Sequence, residues 1–304
     1  MTRRVRLAVT LGDPRGIGPE IVAAALAEGL DADITLIGAK DQIHDIPATR
    51  HIATGPWRPD SGPARPSAVE AGLITGRAIE RAARLALDGE VDAIVTAPAE
   101  KHALHLAGFP FPGHTEWLAH LAGNVDVAMM LASESLRVVL VTTHIPFRDV
   151  PLLLTAEKIV RVGEVTRRGL QAWFGIAEPR IALCALNPHA GEQGLFGDEE
   201  QRIMAPAAER LGAAGPLPAD TVFLRAMRGE FDVVLAPYHD VGMTAIKVAS
   251  FGSAVNVTLG LPFVRTSPDH GTALDIAGTG RADHGSMRAA LTLAIDLARR
   301  SPAA

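Results

Sequence analysis

The chain has 304 residues, 48% of them hydrophobic and 21% charged. These are ordinary proportions for a globular protein with enough length for about two domains and a substantial core. A net charge of −5 excludes a broad basic face for phosphate backbones, so no nucleic-acid partner is expected. The single cysteine, Cys184, excludes an intramolecular disulfide and fits a reducing compartment. No run approaches the roughly 18 apolar residues that cross a bilayer. The apolar run behind the basic start is too short for a signal peptide. The expectation is a cytoplasmic protein with no membrane partner.

Residues 6–11 read as a buried strand entering GDPRGIGPE at 12–20, followed by an Ala-rich helix over 19–28. Pro19 near the first helical position and Glu20 in the first turn favour that start. The junction has two readings, an anion seat on backbone N–H groups or a tight turn. It has neither the G-x-G-x-x-G spacing nor a P-loop lysine.

A strand is expected over 33–38, then Pro-rich surface structure over 41–67, then a long helix over 67–87. The strand at 91–95 runs into Thr96-Ala97-Pro98, with Lys101 just beyond. In FPFPGHTE, at 109–116, His114 or Thr115 is positioned to cap a helix beginning at Glu116. Strands over 125–132 and 136–143, a helix over 155–174, a strand over 179–186 and helices over 198–211 and 220–228 follow. The strand 233–236 delivers Tyr238, His239 and Asp240 to a loop, and an amphipathic helix closes the chain over 287–299. Strands alternating with helices give an α/β class with a largely parallel sheet.

Three apolar strands are each followed by a histidine, and the three are His144, His189 and His239, spaced 45 and 50 residues apart. Such intervals accommodate a βαβ step, so all three imidazoles belong on the carboxyl edge of one sheet, where open α/β sheets bind ligands. Three protein ligands with open positions is the pattern of a catalytic divalent metal. Lys247, Asn256 and Arg265 sit in apolar sequence, where a cation needs an anionic partner such as phosphate or carboxylate. The glycines of DHGTALDIAG, 269–278, permit close backbone approach to a flat ligand.

The segments GDPRGIGPE, TAPAEK, FPGHTE, TTHIPFRDVP, LNPHAGEQGLFGDEE, PYHDVGMTAIK, VNVTLGLP and RTSPDHGTALDIAGTG run in order from residue 12 to residue 280. In these the chain resembles the 4-hydroxythreonine-4-phosphate dehydrogenase family of pyridoxal phosphate biosynthesis. That family includes paralogues acting on 4-phospho-threonate or 4-phospho-erythronate. The resemblance implies two α/β/α lobes flanking a cleft, similar to isopropylmalate and isocitrate dehydrogenases. The lobes are expected over 1–122 with 272–304, on the cofactor side, and over 123–271, for metal binding and dimerisation.

It implies a homodimer with shared active sites, in which His144, His189 and His239 hold one divalent metal (Zn, Co or Mg). It implies substrate contacts from His114, Thr115, Lys247, Asn256 and Arg265. The DHGTALDIAG segment resembles an adenine-side loop, which implies NAD or NADP binding by Asp269, His270, Gly271 and Asp275. The implied reaction oxidises a secondary alcohol of a phosphorylated hydroxy acid and decarboxylates the β-keto acid, with His114 and Lys101 as candidates for moving a proton. For 4-phosphooxy-L-threonine the product is 3-amino-2-oxopropyl phosphate, and 4-phospho-D-threonate and 4-phospho-D-erythronate are alternative substrates. A metallohydrolase with three histidine ligands and a non-catalytic phospho-ligand binder are the competing readings. The chain departs from the family at Arg15 of GDPRGIGPE, at Ala99-Glu100 of TAPAEK and at Val241-Gly242-Met243 after YHD.

Overall fold

The computed structural model describes residues 3–57, 67–250 and 252–301. Part of the Pro-rich stretch expected at the surface, 58–66, lies outside the described residues. In chain order the elements begin with β1 (Val5–Thr10), α1 (Gly18–Ala27), β2 (Ala32–Ala39), α2 (Lys40–Ile43), β3 (Arg50–Gly55) and α3 (Ala68–Leu87). Then come β4 (Ala93–Thr96), α4 (Lys101–Leu106), α5 (His114–Leu121), β5 (Ala128–Ala132) and β6 (Arg137–Leu140). They continue with α6 (Val150–Leu153), α7 (Ala156–Phe174), β7 (Ile181–Cys184), α8 (Ala205–Leu211), β8 (Ala214–Leu217) and α9 (Ala219–Met227). The last are β9 (Val233–Ala236), α10 (His239–Ser250), β10 (Val255–Leu259), β11 (Val264–Pro268) and α11 (Gly285–Arg300). The class is α/β, as the alternation of periods predicts.

Two compact units divide the chain, Met1–Val125 with Leu261–Ala304, and Asp126–Gly260. The second crossing thus falls at 260 rather than at the expected 271. Its reason is β11, whose Val264, Arg265 and Thr266 pair in parallel with Ala93, Ile94 and Val95 of β4. Arg265 and Asp269 therefore belong to the first unit.

The strands of the first unit run in the order β3-β2-β1-β4-β11, every pair parallel. Their central residues, Leu7, Val9, Ile94 and Val95 among them, are fully buried, each contributing about 1.5–3 kcal/mol from removal of apolar surface from water. α3 begins on a capping box: Ser67 Oγ accepts from Glu70 N at 3.2 Å, and Ser67 N donates to Glu70 Oε2 at 3.1 Å. Such a cap contributes about 1 kcal/mol. β3 was not apparent in the sequence. It is an edge strand with no buried residue, with little of the apolar alternation that marks a buried strand.

In the second unit the order is β10-β5-β6-β9-β7-β8. β5 is antiparallel to both its neighbours, and β6, β9, β7 and β8 are parallel. α7 starts on Thr155, whose hydroxyl accepts from Lys158 N, and stops at Gly175, left-handed at φ 70°. The 214–217 stretch, which lies between the expected helices, forms β8 because it adds to the edge of β7, where a proline is tolerated. The helix expected over 198–211 is a π-helical turn, Glu200–Met204, leading into α8. Among the described residues no helix is long and apolar enough to cross a membrane.

Candidate active site

In the first unit the loops leaving β1, β4 and β11, three neighbouring parallel strands, are laced together at their carboxyl ends. Asp13 N donates to the Pro98 carbonyl at 3.0 Å, and Ile17 N to the Thr272 carbonyl at 2.9 Å. A Cβ at Gly12 would lie 2.1 Å from the Pro98 oxygen. The packing demands this glycine, which favours the tight-turn reading of GDPRGIGPE. Arg15 pairs with the buried Asp13 at 2.7 Å and with Glu100. Two of the residues that depart from the family pattern are thus partners in one ion-pair network.

α5 begins at His114, earlier than the expected Glu116, with Gly113 in the cap position and no side-chain cap. Neither His114 nor Thr115 is therefore spent on capping the helix. His114 Nε2 is buried and has no hydrogen-bond partner among the described residues. Burial, then the positive charges of Arg265 and Lys101, pushes its imidazole down to about 3, so it is neutral at physiological pH. Arg265 is 3% exposed and donates from its guanidinium to Thr96 Oγ1 at 2.6 Å. Burial pulls it down to about 10 while Glu116 opposes the shift, leaving a charged guanidinium in a low-dielectric surround. His114, Lys101, Glu116 and Arg265 thus act on one another electrostatically as one group.

Just beyond β11, His270 Nδ1 lies 3.1 Å from the Gly271 carbonyl, and its Nε2 is another buried atom without a partner among the described residues. Gly271 and Asp275 are exposed. A Cβ at Gly271 would meet nothing within 4 Å, so the fold itself does not require glycine there.

In the second unit the three histidines follow β6, β7 and β9, which are adjacent and parallel in the order β6-β9-β7. His239 is the first residue of α10, not a loop residue, with Asp240 suiting the helix N-terminus. The rings of His144 and His239 have centroids 5.7 Å apart. Nδ1 of His239 lies 2.6 Å from Asp240 Oδ1, and Nδ1 of His189 lies 3.2 Å from Glu192 Oε2. A carboxylate on Nδ1 fixes the tautomer and turns Nε2 outward, as in histidines that hold metals. The donor set therefore fits a divalent transition ion. Among the described residues, however, no group of three His, Cys, Asp or Glu in a single chain could hold one.

Lys247, expected to be embedded in apolar sequence, is instead an exposed residue of α10. It lies eight residues beyond His239, about 12 Å along the helix axis. Asn256 is level with Leu131 in the next strand, and through it with Val138 and Val234. That is the end of this sheet away from the histidine loops, and Asn256 Oδ1 is buried with no partner among the described residues.

A family model described as pyridoxal phosphate biosynthetic protein PdxA matches residues 18–294. The chain belongs to the PdxA family. It is 45% identical to 4-hydroxythreonine-4-phosphate dehydrogenase of Geobacter metallireducens, over 97% of this chain and 96% of that protein. It is 43% identical to D-threonate 4-phosphate dehydrogenase of Salmonella typhimurium, over 96% of this chain and 98% of that protein. A crystal structure of 4-hydroxythreonine-4-phosphate dehydrogenase from Klebsiella pneumoniae superposes with a TM-score of 0.86 at 43% identity, covering 97% of this chain and 99% of that one.

Within this PdxA-family chain, several polar residues at the site escaped sequence reasoning. Asp240 and Glu192 stand beside or near histidines in the sequence, and a carboxylate next to a metal-type histidine is itself a signal. Glu116, two residues after His114, carries a buried Oε2 without a partner among the described residues. Glu200, 3% exposed, sits in a run of acids at 198–200 that reads as a solvated helix start.

Proposed function

We propose that the chain is an NAD- or NADP-dependent, metal-assisted dehydrogenase of a phosphorylated hydroxy acid, acting in pyridoxal phosphate biosynthesis within the cytoplasm. The substrate favoured is 4-phosphooxy-L-threonine, oxidised at its secondary alcohol and decarboxylated to 3-amino-2-oxopropyl phosphate. The observation that carries the reading is the buried Arg265 guanidinium beside a neutral His114. Such a cation stabilises a phosphate or carboxylate far more than a solvated one.

In this reading Arg265, Lys247 and Asn256 hold the anionic ends, and Thr115 and His114 orient the substrate. A neutral His114 can accept a proton or donate a hydrogen bond at Nε2, and Lys101 is the alternative proton carrier. His144, His189 and His239 would hold zinc, cobalt or magnesium, which supplies a Lewis acid for the alcohol and for charge developing in decarboxylation. Asp269, His270, Gly271 and Asp275 would border the nicotinamide cofactor, which supplies the hydride acceptor.

The site is proposed to be shared in a homodimer. Within the second unit, Lys247 and Asn256 lie away from the histidine loops, and no single chain closes three metal ligands among the described residues. Exposed Phe147, Leu152, Leu195 and Val248 flank His144, His189 and Lys247, which suits burial of those loops against a second copy.

The deciding experiment is a screen for nicotinamide reduction by metal-loaded protein with 4-phosphooxy-L-threonine, 4-phospho-D-threonate and 4-phospho-D-erythronate. Preference for 4-phospho-D-threonate would assign the second reading, which the 43% identical Salmonella relative supports. Release of inorganic phosphate without nicotinamide reduction would favour the metallohydrolase, and silence in both assays would leave the binder.

A further inference from the structure

We propose that Glu200 is a positioning residue for His189. The inference rests on the reading of His189 as a metal ligand. His189 does not sit in ordinary backbone. His189, Ala190, Gly191, Glu192 and Gln193 have φ of 51°, 56°, 80°, 42° and 59°, a left-handed turn of mostly non-glycine residues. L-residues are disfavoured there, and such a run persists only where its surroundings impose it.

Glu200 is what the turn is built against. Its Oε1 accepts from the backbone N–H of Leu186 at 2.9 Å and of Asn187 at 2.7 Å, and its Oε2 accepts from Asn187 Nδ2 at 2.9 Å. The same Nδ2 donates to Glu199 Oε2 at 2.7 Å. A Cβ at Gly191 would lie 2.9 Å from Glu200 Oε2, so the carboxylate also packs on the turn beyond His189. A single buried side chain thus holds the backbone on both sides of the histidine. Glu200 itself opens the π-helical turn Glu200–Met204, a widened geometry that recurs at functional sites.

The test is Co²⁺ titration into metal-free, full-length protein for wild type, Glu200→Gln, His189→Ala and the double variant, with thermal melting recorded alongside. Glu200→Gln keeps the volume but presents an amide N–H₂ to donors that need an acceptor. The expected result is a 10- to 100-fold weaker Co²⁺ affinity in Glu200→Gln. In the His189→Ala background the same change should cost less than twofold, since a residue acting through His189 has nothing left to position. Faster amide exchange at Leu186 and Asn187 is expected in parallel.

If Glu200→Gln does not fold, Asn187→Ala, which leaves both backbone bonds to Glu200 in place, takes its part in the same comparison. Unchanged affinity in a folded variant, or an equal loss with and without His189, overturns the inference. Loss in His189→Ala without loss in Glu200→Gln removes Glu200 alone. Wild-type affinity in His189→Ala removes the ligand reading and the inference together.

Discussion

Nδ1 of His239 lies 2.6 Å from Oδ1 of Asp240, its neighbour in the first turn of α10. The contact leaves Nε2 as the outward nitrogen and places a negative charge behind the ring. It makes Asp240 part of the proposed metal centre without being a ligand.

Asp240→Asn should therefore weaken Co²⁺ binding about 10- to 100-fold while the melting temperature stays within a few degrees. Calorimetric titration of metal-free protein measures it. His239→Ala should lose binding outright, and an Asp240→Asn variant with wild-type affinity would separate the carboxylate from the site.

A shared site predicts complementation. His144→Ala and Lys247→Ala, each nearly inactive, should regain activity when unfolded and refolded together. Random pairing makes about half the dimers mixed, each with one intact site of two, so activity should approach roughly a quarter of wild type. No recovery, with mixed dimers verified by mass, would assign both residues to one chain.

His114 predicts a pH signature. Its folded-state pKa of about 3 lies below the unfolded value near 6.5. Its contribution to stability is present above about pH 6.5 and is lost as pH falls toward 3, where the unfolded chain binds the extra proton. His114→Asn should flatten that part of the stability–pH curve. Inorganic phosphate should raise the His114 pKa by placing negative charge beside it, and an NMR titration of its ring protons reads both effects.

Arg15 and Glu100 should couple. Their side chains are 21% and 30% exposed, so the pair is only partly screened. A cycle of Arg15→Ala, Glu100→Ala and the double variant, followed by denaturant unfolding, should give a coupling of about 1 kcal/mol. Additive single effects would show that the two departures from the family pattern are independent.

The sequence was most legible where a single physical signal dominated. β9 was expected over 233–236 and is Val233–Ala236, because a fully buried strand is a continuous apolar run. The placement of His144, His189 and His239 beyond strands of one sheet was legible because each follows an apolar run at an interval that fits a βαβ step. Edges were harder: β3 and β8 form by adding to an existing sheet, a long-range cause that a local window does not contain. Apolar neighbours such as Ile246 and Val248 mark Lys247 as embedded, whereas the helix that starts at His239 leaves it exposed. Glu200 was invisible for a related reason. Its role depends on three donors more than ten residues upstream, and an acid in an acidic run gives no hint of burial.

The lone cysteine has a use that its burial creates. Cys184 lies fully buried at the end of β7, and burial, then the Glu200 carboxylate, pushes its thiol up to about 12. In the folded protein it is almost wholly protonated and shielded, so neither oxidants nor alkylating reagents should reach it. When the strands around it open, the thiol becomes an ordinary accessible nucleophile. Every labelling event at Cys184 therefore counts an opening of the second unit, which gives the protein a native, mutation-free clock for its own unfolding.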